Sequence, residues 1–276
     1  MRKLYSALKY ICITALVISL IALVAVVAYV LINGVDKLSL DLLFGDYKDS
    51  PSILPAFIGT LQLVGIAAII AVPIGVASAI FLVEYTGNKG KFVKIVQVAT
   101  ETLAGIPSIV YGLFGYLIFV VTFGWGYSML AGGITLAIMI LPTIVRSTQE
   151  SLLSVQGGLR EGAYALGTSK VRTIFKIVLP SAVGGIVTAI ILAIGRVVSE
   201  SAVLILTIGM VVNKVPETLM APGTSLALDI YYFASHGYPD EAAATAVVLL
   251  VFVMALNLLA GFIGNLIQKS TYGDAK

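Results

Sequence analysis

The chain has 276 residues, of which 59% are hydrophobic and only 11% charged, with a mean hydropathy of +1.05 and a formal net charge of +3. Soluble domains are nearer half apolar and a quarter charged, so a water-soluble globule is excluded at this length. The single cysteine, Cys12, excludes a disulfide framework, and the single histidine, His236, has no Cys or second His near it to share a metal.

Crossing a bilayer takes about 20 mostly apolar residues. Six such runs are expected, at roughly 11–32, 57–83, 103–123, 129–145, 180–207 and 243–267, making one all-α membrane domain over residues 1–276. The first run is too long for the apolar region of a signal peptide, so it reads as a retained span. In the second, Ala67, Ala71, Gly75 and Ala79 recur at spacing four, a face of small residues suited to close helix approach, and Pro73 is expected to kink it. Residues 84–104 are too polar to span. Phe92, Ile95, Val96 and Ala99 fall on one face there, as in a helix lying along an interface or packed on its own bundle. Gly124 to Ser128 form a tight hairpin with Trp125 and Tyr127 at an interfacial position. The stretch 209–235 carries Lys214, Pro216, Glu217, Pro222 and Asp229 and is rejected as a seventh span.

Thirteen of the seventeen basic residues fall on one side if the N-terminus is cytoplasmic, including Lys89, Lys91, Lys94, Arg146, Arg160, Lys170, Arg172, Lys176 and Lys276. Only Lys37, Lys48 and Lys214 fall on the other. Excess basic charge marks the cytoplasmic side, so both termini are expected there. The outer loops are acidic, with Asp36, Asp41, Asp46, Asp49, Glu217, Asp229, Asp240 and Glu241. That is either simple solvation or a rim where another protein docks.

Between the fourth and fifth runs, loop 146–179 contains Arg160-Glu161-Gly162-Ala163 and then Gly167. Gly167 should end a first helix, with Thr168 or Ser169 capping a second. Gly162 and Ala163 are expected to face outward so that a partner can sit close, with Arg160 and Glu161 as polar contacts at the rim. In the fifth run, Arg196 lies 16 residues past Pro180, about 24 Å along a continuous helix. Glu200 follows four residues later, on the same helix face. A charge that deep in a membrane is a functional hypothesis by default. A structural ion pair is the bland alternative. The fork of a guanidinium suits phosphate oxygens, and a carboxylate can accept the proton that hydrogen phosphate has and sulfate lacks.

The loop spacing Glu161-Gly162-Ala163, three residues, Gly167, nine residues, Ile177-Val178-Leu179-Pro180 resembles the EAA loop of ABC importer permeases, with Gly162 in an alanine position. Residues Gly105-Ile106-Pro107-Ser108-Ile109-Val110-Tyr111-Gly112-Leu113-Phe114-Gly115 are similar to a stretch of phosphate-system permeases, and so is the Gly195-Arg196…Glu200 pattern. Of the two permeases in such a system, the short N-terminus and Ala165-Leu166-Gly167-Thr168 look more like the PstA kind than the PstC kind. The resemblance implies a six-helix, MetI-like type I permease fold whose loop docks on a cytoplasmic ATP-binding subunit. It further implies a second, related permease, an extracytoplasmic phosphate-binding protein, inorganic phosphate as cargo, and a path that includes Arg196, Glu200 and Arg146. Arg146 equally reads as a simple inner-side anchor. The chain lacks the G-x-x-x-x-G-K-[ST] phosphate cradle, so ATP hydrolysis is assigned to the partner. No cofactor and no nucleic acid are expected. Permeation of sulfate or molybdate, or proton-coupled secondary transport through Arg196 and Glu200, are the competing readings.

Overall fold

The computed structural model describes residues 2–45, 47, 51–87 and 90–272, so the expected charges at Asp46, Lys48, Asp49, Lys89 and Lys276 lie outside it. Every regular element in the described residues is helical. In chain order these are α1 (Arg2–Gly34), α2 (Leu40–Phe44), α3 (Leu54–Ile80), α4 (Lys91–Ala104), α5 (Ser108–Gly115), α6 (Met129–Leu153), α7 (Gly157–Ala165), α8 (Lys170–Thr173), α9 (Leu179–Val198), α10 (Ala202–Thr207), α11 (Leu226–Ser235) and α12 (Pro239–Tyr272). Three π turns, Phe81–Tyr85, Tyr116–Thr122 and Ile174–Val178, continue α3, α5 and α8.

Five helical runs are long and apolar enough to cross a membrane, and a sixth is reached only if the bent pair Lys91–Ala104 and Ser108–Thr122 is taken as one span. That pair turns by 98°, and it corrects the expected span 103–123. Gly105-Ile106-Pro107 stops α4, because the residue before a proline is driven out of the helical region. The Tyr111 hydroxyl then donates to the Leu103 carbonyl (2.9 Å) across the corner. Helices cover the expected runs 11–32, 57–83, 129–145 and 243–267 and extend beyond them, whereas the fifth, expected over 180–207, starts earlier and stops at Val198. Since α6 continues to Leu153 and the next span begins at Lys170, the connecting loop shrinks from 146–179 to residues 154–169.

Small residues set the packing of the centre. Ala67, Ala71, Gly75 and Ala79 of α3 are all buried, and α3 lies along α6. A β-carbon on Gly75 would sit 2.7 Å from Ile144, and one on Gly133 of α6 would sit 2.6 Å from Ile66. The α3 helix runs through Pro73 without interruption. The core is filled by Leu63, Leu136, Ile140, Ile144, Val197 and Leu204. Around it, α9 packs on α6 and α12, while α1 packs chiefly on α12 and exposes apolar residues on nearly all its faces. An all-round apolar helix has a low energy only in lipid. Helix α4 buries Val93 against Leu82 and Val145 and leaves Phe92, Ile95 and Val98 exposed.

At the end away from the α7 loop, the start of α6 is closed by distant chain. Ser128 caps it by accepting from the Ala131 amide. Its first amides, on Met129 and Leu130, donate to the carbonyls of Ala221 and Leu219 (3.0 and 2.8 Å). Four unsatisfied amides at a helix start must find partners somewhere, and here segment 208–223 supplies them. Next to it, Asp229 of α11 is wholly buried. The Thr224 hydroxyl donates to its Oδ1, whereas Oδ2 has no partner. Burial pushes this carboxyl up to about 7. The Thr60 hydroxyl of α3 accepts from the Leu226 amide (3.0 Å), tying α3 to α11.

Candidate functional site

The 154–169 loop is a helix–turn–helix held by local chemistry. The α7 helix ends in a left-handed residue, Gly167, at φ +78°. Its amide donates to the Tyr164 carbonyl (2.9 Å) and the Thr168 amide donates to the Ala163 carbonyl (3.2 Å). This is the paired C-terminal closure that favours glycine at that position. Ser169, and not Thr168, caps α8, accepting from the Arg172 amide (3.4 Å). Thr168 instead turns its hydroxyl inward to the Ala163 carbonyl and Thr173.

Two expectations about this loop are corrected. Ala163 does not face outward; it is buried, 4% exposed, against the turn it helps to form. Its neighbour Gly162 does face outward, where a β-carbon would meet open space. Arg160 is not a rim residue either. Its Nε and Nη2 donate to Oε1 of Glu84 (3.2 and 2.7 Å), Nη1 donates to the Val155 carbonyl (2.9 Å) and Nη2 to the Leu152 carbonyl (2.8 Å). Glu161 remains exposed with no hydrogen bond or ion pair among the described residues. The outer face of α7 is thus Leu159, Gly162 and Leu166, with Leu166 86% exposed. The sequence spacing pointed to this surface through Gly162 but did not reveal Leu166 as its most exposed apolar residue.

The second locus is Arg196, in the last turn of α9. The helix ends at Val198, two residues later, so Glu200 does not share its face. Oε1 of Glu200 accepts from the amides of Ala202 and Val203 (3.0 and 3.3 Å) at the start of α10. A carboxylate at a helix start meets both free amides and the positive end of the dipole. No ion pair joins Arg196 to Glu200 among the described residues, which removes the structural ion-pair alternative along with the shared helix face. The cause was readable in Ser199-Glu200-Ser201, three adjacent side chains that can bond to nearby backbone and stop a helix. Ser199 donates to the Gly195 carbonyl (3.0 Å) in this way.

Arg196 is exposed and makes no hydrogen bond or ion pair within the described chain. Its charge acts on the hydroxyl of Tyr111, a residue the sequence reading quoted but gave no role. The Tyr111 hydroxyl spans the α4–α5 corner, and α5 meets α10 so closely that a β-carbon on Gly112 would sit 3.0 Å from the Val203 backbone. Two interrupted helices, α4–α5 and α9–α10, therefore meet beside this one arginine. Arg146 stands elsewhere, in a cleft of about 230 Å³ with Gln97, Thr100, Glu101, Gln149 and Glu150. It pairs with Glu150 (3.2 Å) and Glu101 (3.6 Å) at an exposed site, so the structure gives it carboxylate partners and does not place Arg196 in the same cleft.

Residues 71–271, which include the α7 loop and Arg196, match the family described as binding-protein-dependent transport system inner membrane component. The chain belongs to this family. Its members form part of a transport system's membrane component, in agreement with the multi-pass helical architecture here. Among relatives, a probable ABC transporter permease protein, YqgI, of Bacillus subtilis is 33% identical, covering 90% of each chain. The phosphate transport system permease protein PstA of Haemophilus influenzae is 33% identical over 93% of this chain and 91% of its own. A solved bacterial alginate ABC transporter superposes with a TM-score of 0.70 over 95% of both chains at 15% identity, which shows the shared permease fold. The MetNI methionine ABC transporter gives 0.60 over 78% of this chain, at 19% identity.

Proposed function

We propose that this permease is a membrane-spanning subunit of an ATP-driven importer that carries inorganic phosphate across the cytoplasmic membrane of a prokaryote. The observation that carries the cargo assignment is Arg196, a guanidinium with no hydrogen-bond or ion-pair partner among the described residues, set where two helices are interrupted. A guanidinium left exposed and unpaired at membrane depth needs an anionic or wet surrounding, and an oxyanion is the partner that its fork fits. The names of several relatives, which are phosphate transport system permeases, point to the same cargo. Glu200 serves by capping the start of α10, which packs on α5, and so shaping the place where Arg196 stands. Arg146, at the α7 end, takes a later position on the same route.

The α7 loop faces the cytoplasm on this reading, with both termini, and meets an ATP-binding subunit that hydrolyses ATP for the transporter. Leu166 and Leu159 form an apolar contact, Gly162 allows close approach and Glu161 supplies a polar rim. A second, related permease completes the pathway, an extracytoplasmic phosphate-binding protein delivers the cargo, and lipid covers the outer helices. Replacing Gly162 by phenylalanine fills only open space within this chain, so its fold should survive while the ATP-binding subunit no longer co-purifies. Normal co-purification with normal transport would remove the docking role.

The cargo is tested by uptake of labelled phosphate in cells lacking other phosphate routes. Among the described residues no carboxylate pairs with Arg196, so Arg196→Gln should reach the membrane and assemble normally while uptake falls at least about tenfold, as expected for loss of a charge-assisted contact. Arg196→Lys keeps the charge but loses the fork and should transport poorly. Unlabelled sulfate and molybdate, added in excess, should fail to compete. Uptake at the wild-type rate in Arg196→Gln, or full competition by sulfate, would refute the assignment.

A further inference from the structure

Arg160 ties α7 to parts of the chain far away in sequence, and this link has mechanical content. By backbone, α7 packs chiefly on α8 and the π turn after it, the chain that directly follows its own loop. Its strong attachment to the bundle is the Arg160 side chain. Glu84, in the π turn that ends α3, is 76 residues away in sequence and its side chain is 5% exposed; that of Arg160 is 20% exposed. Two nitrogens converge on one oxygen of Glu84, and two further bonds reach the Val155 and Leu152 carbonyls at the end of α6. Next to Glu84, the ring of Tyr85 carries the ammonium of Lys170, the first residue of α8, 4.9 Å above its centre. Consecutive residues of one π turn thus hold α7 and the start of α8.

A buried pair with additional hydrogen bonds is hard to open, because removing one partner leaves the other charged and desolvated. It therefore passes displacement on in place of yielding. Exposed pairs such as Arg146–Glu150 lack that stiffness, since water replaces either partner at little cost. The π turn adds the other half of such a device, because a wide turn is a local defect in helix winding that tolerates a change in register.

We propose that Glu84 and Arg160 form the joint through which movement of α7 is passed into α3, making them positioning residues for coupled transport. This rests on the docking role of α7 given above. The test uses the complete transporter, with its ATP-binding subunit and both permeases, in proteoliposomes, and reads three quantities: ATP-binding subunit retained, ATP hydrolysed, and labelled inorganic phosphate taken up per ATP. Glu84→Gln keeps the shape and an acceptor for Arg160 but removes the charge. It should retain the subunit and hydrolyse ATP while uptake per ATP falls on the order of tenfold, within the usual range of coupling between sites. Arg160→Lys should be intermediate. The double variant Glu84→Gln with Arg160→Gln should be no worse than Arg160→Gln alone, as expected for residues acting as one unit. Unchanged uptake per ATP in both Glu84→Gln and Arg160→Gln overturns the proposal. So does loss of Glu84→Gln from the membrane or from the complex, which would make the pair purely structural. Gly162→Phe, run in parallel, separates this from the docking role: if it keeps the subunit bound and transports normally, docking itself is wrong whatever Glu84→Gln does.

Discussion

A Gly59→Val chain is expected to lose the packing of α3 against the segment before α11. A β-carbon at Gly59 would lie 2.1 Å from the Thr224 carbonyl oxygen, with the Met129 side chain 3.5 Å away on the same side. Backbone cannot rotate aside as a side-chain tip can, so either α3 or the 221–225 segment must shift. That shift would also strain the bond from the Leu226 amide to Thr60, one residue along α3. Overpacking of this kind typically costs about 1–3 kcal/mol, and contact with backbone places it at the upper end. Gly65 gives an internal control, because a β-carbon there meets nothing within 4 Å in the same helix. Gly65→Ala should match or slightly exceed the wild type, since alanine favours the helix. Thermal unfolding of purified protein in one detergent checks both. Gly59→Val should melt several degrees lower, as a loss of that size implies for a chain of this length. Equal melting of the two variants would show that the corner gives way freely.

The second large effect is a dependence of stability on pH set by Asp229. In the folded chain its carboxyl titrates at about 7, raised by burial from an ordinary 3.8, although the Thr224 hydroxyl pulls the other way. The phenol of Tyr47, pushed up to about 12 chiefly by burial, also feels the Asp229 charge. Between these two values for Asp229 the folded state holds a proton that the unfolded state has released. The number bound on unfolding therefore falls, and stability declines as pH rises across that interval, then levels off above about 7. The difference of about three units corresponds to a loss on the order of 4 kcal/mol. Asp229→Asn keeps an acceptor for Thr224 and cannot ionise. It should flatten melting temperature against pH between about 4 and 7 and melt above the wild type at pH 8. A wild-type profile that is flat or rises over this interval would show that Asp229 is ionised in the fold.

Much of the architecture was legible because membrane spans are written in long apolar runs and close helix contacts in spaced small residues. The Ala67, Ala71, Gly75 and Ala79 face was read directly and is buried. The α7 turn was also legible, since a glycine in a left-handed turn has few substitutes. Hydropathy failed where a helix stops inside an apolar run. The corner at Gly105-Ile106-Pro107 and the break at Ser199-Glu200-Ser201 cost little apolar character, so a composition window passes over both. The consequence was large at Arg196, because an intact helix would have given it Glu200 as a partner. For Arg160, sequence distance hid the answer: its partner Glu84 lies 76 residues back, in a segment that reads as the end of another span.

The closure of α6 by the 208–223 segment has a consequence for biosynthesis. When Met129 and Leu130 leave the ribosome, the carbonyls that will satisfy their amides, on Ala221 and Leu219, do not yet exist. At about 5–20 residues added per second, the nascent chain waits on the order of 5–20 s for them. During that interval the start of α6 must borrow water or another protein's acceptors, because lipid offers none. A ribosome stalled before residue 219 therefore leaves a hairpin that is threaded through the bilayer yet open at one end. Membrane quality-control proteases would find their entry point at that end.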